Sequence, residues 1–186
     1  MRFGYPVVLD VHDVSVLVVG AGPVAVRKVV SLVDAGASVR VVAIDVDPAL
    51  DAVAVAEVRQ RAYEPGDLDG VRLVVTATSI VDVDASVAAD ATSRGIWVNA
   101  ADQTSDCSFI LPAIARDGSV SVAVSTDGTA PAVASWLRDR IADEVLDDDA
   151  RRIASAVAER RREIRARGES TEGLDWRGEI ERLRHP

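Results

Sequence analysis

Short apolar runs alternate with helix-spaced apolar residues through the first hundred positions. Val14-Ser-Val-Leu-Val-Val19 reads as a buried strand that stops at Gly20-Ala-Gly22-Pro23. From Val24 to Ala35, Val26, Val29, Val30 and Val33 recur at helical spacing, and Gly36 is a natural stop. Ser38–Ile44 predicts a second buried strand, Ala49–Ala56 a short helix and Val58–Ala62 an edge strand. Leu73–Ala77 and Ile96–Asn99 predict two more strands, with a helix over Val83–Ser93 between them. Strands separated by helices of this length predict a parallel sheet covered on both faces, and the usual crossover handedness makes it doubly wound.

After Asn99 the pattern changes. Phe109–Ile114 and Val120–Ser125 read as two arms of a hairpin joined through Gly118. Thr129 is the expected cap of a following helix, with Pro131 in its first turn and Val133, Leu137, Ile141 and Val145 on one face. Asp147-Asp-Asp149 predicts a solvated break. Ile153, Val157 and Ile164 then line an arginine-rich helix, and Trp176, Ile180 and Leu183 a last short one. The fold class is therefore α/β: a Rossmann-like sheet over 1–112, a hairpin-plus-helix region over 113–146 and a helical domain over 147–186. The alternating Val120, Val122 and Val124 predict a face buried against a partner, and a homodimer through residues near 110 to 145.

Composition narrows the function classes. The 186 residues carry 21 basic and 30 acidic side chains, a net charge of −9, which argues against nucleic acid and anionic membranes as partners. One cysteine, Cys107, cannot form an internal disulfide, and no signal-peptide core follows the initial Met; both point to the cytoplasm. Cys107 itself reads as a buried structural thiol. Two histidines, His12 and His185, give little material for a metal site, and none is expected. Lys28 is the only lysine, so arginine supplies the other cations; a GC-rich genome or a salt-adapted surface would account for that.

Gly20-x-Gly22-x-x-Ala25 lies where a strand hands over to a helix. The first glycine permits the tight turn, the second lets a pyrophosphate approach the backbone, and the helix start offers unpaired N–H groups. Asp45 stands 20 residues beyond Ala25, the spacing of a carboxylate that accepts hydrogen bonds from an adenosine ribose. Such a carboxylate repels a 2′-phosphate, so NAD is the expected cofactor. Arg27 and Lys28 oppose the helix dipole. Either an anionic ligand offsets that repulsion, or both are simply solvated. Asp102 follows the last strand of the sheet at its carboxyl edge, where open α/β sheets bind ligands. It suits a general base, and equally a turn residue.

These segments resemble the siroheme-synthase N-terminal family, whose members are precorrin-2 dehydrogenases, some also sirohydrochlorin ferrochelatases. The resemblance runs over roughly residues 1 to 145, through Tyr5-Pro-Val-Val-Leu9, Val16–Lys28, Leu73–Thr78, Gly95–Asp102, Cys107–Ala113 and Val122–Pro131. It implies oxidation of precorrin-2 to sirohydrochlorin with formation of NADH, for siroheme or cobalamin. It also implies roles. Pro23 and Val24, Ile44 and Asp45, and Thr76, Ala77 and Thr78 contact the cofactor, with the last three beneath its nicotinamide end. Asp102 is the catalytic acid–base group, and Ser125 and Thr126 flank the tetrapyrrole. Arg138 and Lys28 are candidates for its carboxylates; Arg140, Arg27 and the run from Arg151 to Arg167 are further sources of positive charge. Asp106 and Asp127 read as turn residues.

There are departures. Ser79 stands where members often carry Asp, and Thr126-Asp127-Gly128 replaces a Gly-Gly loop. The methyltransferase domain of some members is not in this chain, so it is not expected to make precorrin-2. Insertion of Fe²⁺ as a chelation substrate stays open, since Asp102 could accept the pyrrole protons. Two other readings compete: an NAD-sensing module without catalysis, and a tetrapyrrole chelatase or carrier without redox function. The segments after Asn99 have no role in a bare sensor.

Overall fold

The computed structural model describes residues 2–185, which divide into two compact units, one running to Leu111 and the other starting at Pro112. In the first, strands β1 (Ser15–Val19), β2 (Ser38–Ala43), β3 (Glu57–Gln60), β4 (Leu73–Thr76) and β5 (Trp97–Ala100) form one parallel sheet in the order β3-β2-β1-β4-β5. Helices α1 (Pro23–Asp34) and α2 (Val81–Ser93) supply the crossovers. The doubly wound sheet is thus as expected.

Strand alternation divides the core in two. Val16, Val18, Val39, Val41 and Val75 pack with Ala25, Val26 and Val29 of α1 on one face. Leu17, Val19, Val42, Val74 and Val98 pack with Val87, Ala88 and Ala91 of α2 on the other. α1 starts at Pro23 and has no side-chain cap, so its first N–H groups face outward unclaimed by any side chain. It ends before Gly36, at φ +85°, where any side chain would meet the His12 ring at 2.8 Å.

The helix expected over Ala49–Ala56 is only a 3₁₀ turn, Pro48–Ala52, capped by Asp47, which accepts the Ala49 N–H at 2.9 Å. Val53 and Val55 beyond it pack against the core, and β-branched residues serve that in extended chain better than in a helix.

Beside β3 the buried Asp67 carboxylate accepts hydrogen bonds from Arg59 (2.7 Å), Arg61 (2.6 and 2.8 Å) and the Glu64 N–H (2.9 Å). Burial pushes its pKa up, but the Arg61, Glu64 and Arg59 bonds outweigh that and hold it at about 2, against an ordinary 3.8. A depressed carboxyl contributes stability above the unfolded value, which is lost as pH falls through the folded one. Acid should therefore weaken the first unit between about pH 4 and pH 2. Asp67→Ala should cost about 2–3 kcal/mol in urea unfolding, less than a fully buried pair because both guanidinium groups keep a route to water. An unchanged midpoint would contradict this.

The second unit begins with a hairpin of β6 (Ala113–Asp117) and β7 (Val120–Val124), followed by α3 (Pro131–Glu144), α4 (Asp148–Ala166) and α5 (Trp176–Arg184). The first arm lies later than the expected Phe109–Ile114. Phe109 packs against the sheet core instead, and Pro112, lacking an N–H, precedes the arm. The half-buried face of β7 carrying Val120, Val122 and Val124 pairs with Ala115 and its neighbours, and α3 of the same chain packs on both strands. Thr129 is not the cap of α3. That position is Ala130, whose N–H donates to Thr126 Oγ1 at 3.2 Å, while the Thr129 hydroxyl donates to the Thr126 carbonyl at 2.6 Å. Asp147 and Asp175 cap α4 and α5. Among the described residues, no helix is long and apolar enough to cross a membrane.

Candidate active site

A cleft of about 520 Å³ opens at the carboxyl ends of β1, β2 and β4. Gly20, Gly22, Ile44, Asp45, Ala77 and Thr78 all line it, so the sheet brings together six of the expected cofactor residues. The order β2-β1-β4 explains this, because the chain reverses direction across the sheet between β1 and β4 and the loops there splay apart.

The two glycines do different work. Gly20 has φ +102°, and a Cβ there would lie 2.4 Å from the Ala77 carbonyl oxygen. The turn and the close approach of the β4 end both demand glycine. Gly22 has an ordinary φ of −75°, with nothing within 4 Å of where a Cβ would project. That open space lies beside the uncapped start of α1, which offers unpaired N–H groups and a positive dipole end. A dinucleotide pyrophosphate fits this cradle, and the exposed Asp45 fits a ribose.

Three expected residues sit elsewhere. Pro23 and Val24 open α1 outside the cleft lining. Thr76 is fully buried, and its hydroxyl donates to the Asp84 carboxylate. Ser79, noted as a departure from the family pattern, also lines the cleft, at φ +64°; Ile80, exposed at the start of α2, and Arg61 and Tyr63 beyond β3 carried no expectation. Tyr63 donates to Asp90 at 3.0 Å; burial, then that bond, pushes its phenol pKa up. The turn residues between β3 and β4 gave no pattern that placed them at a cleft.

Asp102 lies two residues past β5, exposed, at φ +60°. Among the described residues its carboxylate accepts no hydrogen bond. Lys28 reaches across from α1 and donates to Asn99 Oδ1 at 3.1 Å, while Asn99 Nδ2 donates to the Phe109 carbonyl at 3.1 Å. Burial lowers the Lys28 pKa; Cys107 and then Asp102 pull the other way, and Arg27 adds to the lowering. Cys107 is buried, donates to the Ala100 carbonyl at 3.2 Å, and burial raises its pKa. It is a structural thiol, as expected.

In the second unit, Ser125 Oγ accepts the Asp127 N–H at 3.3 Å, and Thr126 bridges the turn into α3. Asp127 takes φ +56°, a backbone state that suits glycine and that aspartate tolerates, which accounts for the Gly-Gly loop that it departs from. Arg138 pairs with the adjacent Asp139 at 2.7 Å. Arg140 pairs with Glu144 and lies 5.3 Å from the Trp136 ring centre.

A family model described as NAD(P)-binding matches residues 7–113, and one described as the central part of sirohaem biosynthesis proteins matches residues 117–144. Siroheme synthase of Methylobacillus flagellatus is 40% identical over 166 residues, covering 87% of this chain and 35% of the relative. Siroheme synthase of Methylococcus capsulatus is 42% identical over 139 residues, covering 73% of this chain and 29% of the relative. The chain thus spans about a third of the length of these relatives. A solved structure of SirC, a precorrin-2 dehydrogenase, superposes with a TM-score of 0.71 at 27% identity, covering 97% of this chain and 87% of that one.

Proposed function

Since the chain belongs to the NAD(P)-binding family that forms the N-terminal region of siroheme synthases, we propose that it oxidises precorrin-2 to sirohydrochlorin with NAD. The observation that carries this reading is the exposed Asp102 carboxylate, which accepts no hydrogen bond among the described residues and lies on the same carboxyl edge of the sheet as the cleft. The SirC precorrin-2 dehydrogenase likeness supports it.

Two electrons leave the macrocycle as hydride, and protons leave from carbon or nitrogen. When bound, the nicotinamide supplies the hydride acceptor. Asp102 takes a proton onto a carboxylate oxygen to which no donor among the described residues bonds, a step worth typically ~10²–10⁴-fold in rate. Lys28, held by Asn99, offers an ammonium to the substrate's carboxylates. Ser125, Thr126 and Arg138 are also assigned to the tetrapyrrole; Arg138 would share its guanidinium between Asp139 and a substrate carboxylate. Val133 and Trp136, exposed on α3, support a homodimer through this region.

Asp45 is assigned to the adenosine ribose, which makes NAD rather than NADP the cofactor. Replacing it by serine should narrow the NAD-over-NADP preference by about tenfold, the size of one screened charge repulsion of ~1.4 kcal/mol. The deciding experiment is an anaerobic incubation of precorrin-2 with NAD or NADP. Formation of NADH in step with sirohydrochlorin is expected. Cofactor binding without any turnover above the protein-free rate would leave only a sensing module.

Metal insertion makes a related demand, since pyrrole protons must depart as Fe²⁺ enters, and the same carboxylate suits it. Sirohydrochlorin with Fe²⁺ or Co²⁺ and no NAD tests that activity: absence of a spectral change above the uncatalysed rate removes it.

A further inference from the structure

Asp84 is 2% exposed, sits one turn into α2 and has no cationic partner among the described residues. An isolated buried carboxylate is costly unless donors surround it. Four do. The Thr76 hydroxyl, the Thr78 hydroxyl (2.9 Å) and the Thr78 N–H (3.1 Å) converge on Oδ1, and Gln103 Nε2 approaches Oδ2 at 3.5 Å. Its position in the first turn of α2 adds the positive end of the helix dipole.

The Thr78 N–H bond has a geometric consequence. In a trans peptide the N–H and the preceding carbonyl point in opposite directions. With the Thr78 N–H directed at Asp84, the Ala77 carbonyl is directed away from it, and that oxygen fills the space a Gly20 side chain would need. Ala77 and Gly20 face each other across the lining of the cleft.

We propose that Asp84 is a positioning residue: it fixes the orientation of the Ala77–Thr78 peptide and so presents the Ala77 carbonyl to the cleft as a ready acceptor for a cofactor hydroxyl. This rests on the dinucleotide-binding reading above. Loss of the carboxylate frees the peptide to rotate, which turns an acceptor into a donor at the cleft wall. Asparagine retains an acceptor oxygen for the Thr78 N–H and can offer its amide to a rotated Gln103 side chain.

Fluorescence titration with NADH and steady-state kinetics with NAD on the full chain test this. Asp84→Ala should raise the dissociation constant and the KM for the dinucleotide about tenfold while kcat at saturating cofactor changes less than about twofold. Asp84→Asn should recover most of that loss. An Asp84→Ala protein that keeps its fold by circular dichroism and binds as tightly as wild type overturns the proposal, as does a loss in kcat alone. Should Asp84→Ala not fold, amide hydrogen exchange on the wild type decides: a protected Thr78 N–H is expected, and rapid exchange there overturns it. Failure of the wild type to bind either NAD or NADH would instead sink the dinucleotide reading, and this proposal with it.

Discussion

Replacing Asp102 by asparagine is expected to slow precorrin-2 oxidation by about 10²–10⁴-fold, with NAD affinity held within about twofold. The substitution is chosen for its backbone. Asp102 takes φ +60°, and asparagine, like aspartate, tolerates that left-handed state. Alanine would add about 1 kcal/mol of strain there and confuse a chemical loss with a structural one. The carboxylate has no hydrogen-bond partner to lose among the described residues, so the exchange removes the proton acceptor and its charge, which acts on Lys28, but breaks no bond. Cofactor contact is not at stake either, because Asp102 lies outside the cleft lining. Stopped-flow absorbance under anaerobic conditions reads the outcome. Turnover by Asp102→Asn at the wild-type rate would end its role as the base.

Gly22→Ala makes the second large prediction, and its sharpness comes from comparison with Gly20→Ala. At Gly22 the backbone already suits any residue, and the new methyl meets nothing. Stability should therefore stay within about 0.5 kcal/mol of wild type. The methyl does enter the space beside the start of α1 that a pyrophosphate needs. Overpacking of that kind costs about 1–3 kcal/mol, so NADH should bind about 5- to 150-fold more weakly. Gly20→Ala collides with the Ala77 carbonyl and forces φ +102° on a residue with a side chain. It should cost about 2–4 kcal/mol of folding stability as well. Thermal melts and NADH titrations on both variants separate the two. Equal losses of stability would show that Gly22 is a turn glycine and no more.

The sheet was legible in the sequence because β-strand and helix periodicities were both clean there. Val14–Val19, Ser38–Ile44 and Leu73–Ala77 are runs of small branched residues that only a doubly covered sheet can bury, and the glycines mark where the first of them must turn. The cleft residues Gly20, Gly22 and Asp45 followed from the same logic, since strand ends predict where loops gather, whereas Ile44, Ala77 and Thr78 were implied by the family resemblance. What escaped depended on contacts between distant positions. Phe109 looks like a strand residue, yet its place is set by the core it fills and by Asn99, ten residues earlier. Thr129 looks like a cap, but Thr126 is better placed to take the free N–H. Asp84 was invisible for a different reason. An aspartate in the first turn of a helix is ordinary, and nothing in the chain announces that two threonines of the preceding strand and loop will turn toward it.

The bond from Lys28 to Asn99 has a practical consequence, because no other lysine exists in the chain. Reductive methylation with isotopically enriched formaldehyde would mark a single side-chain amine, and that amine stands on the sheet edge where the chemistry is assigned. One resonance would then follow the arrival of each ligand directly, without any engineered tag.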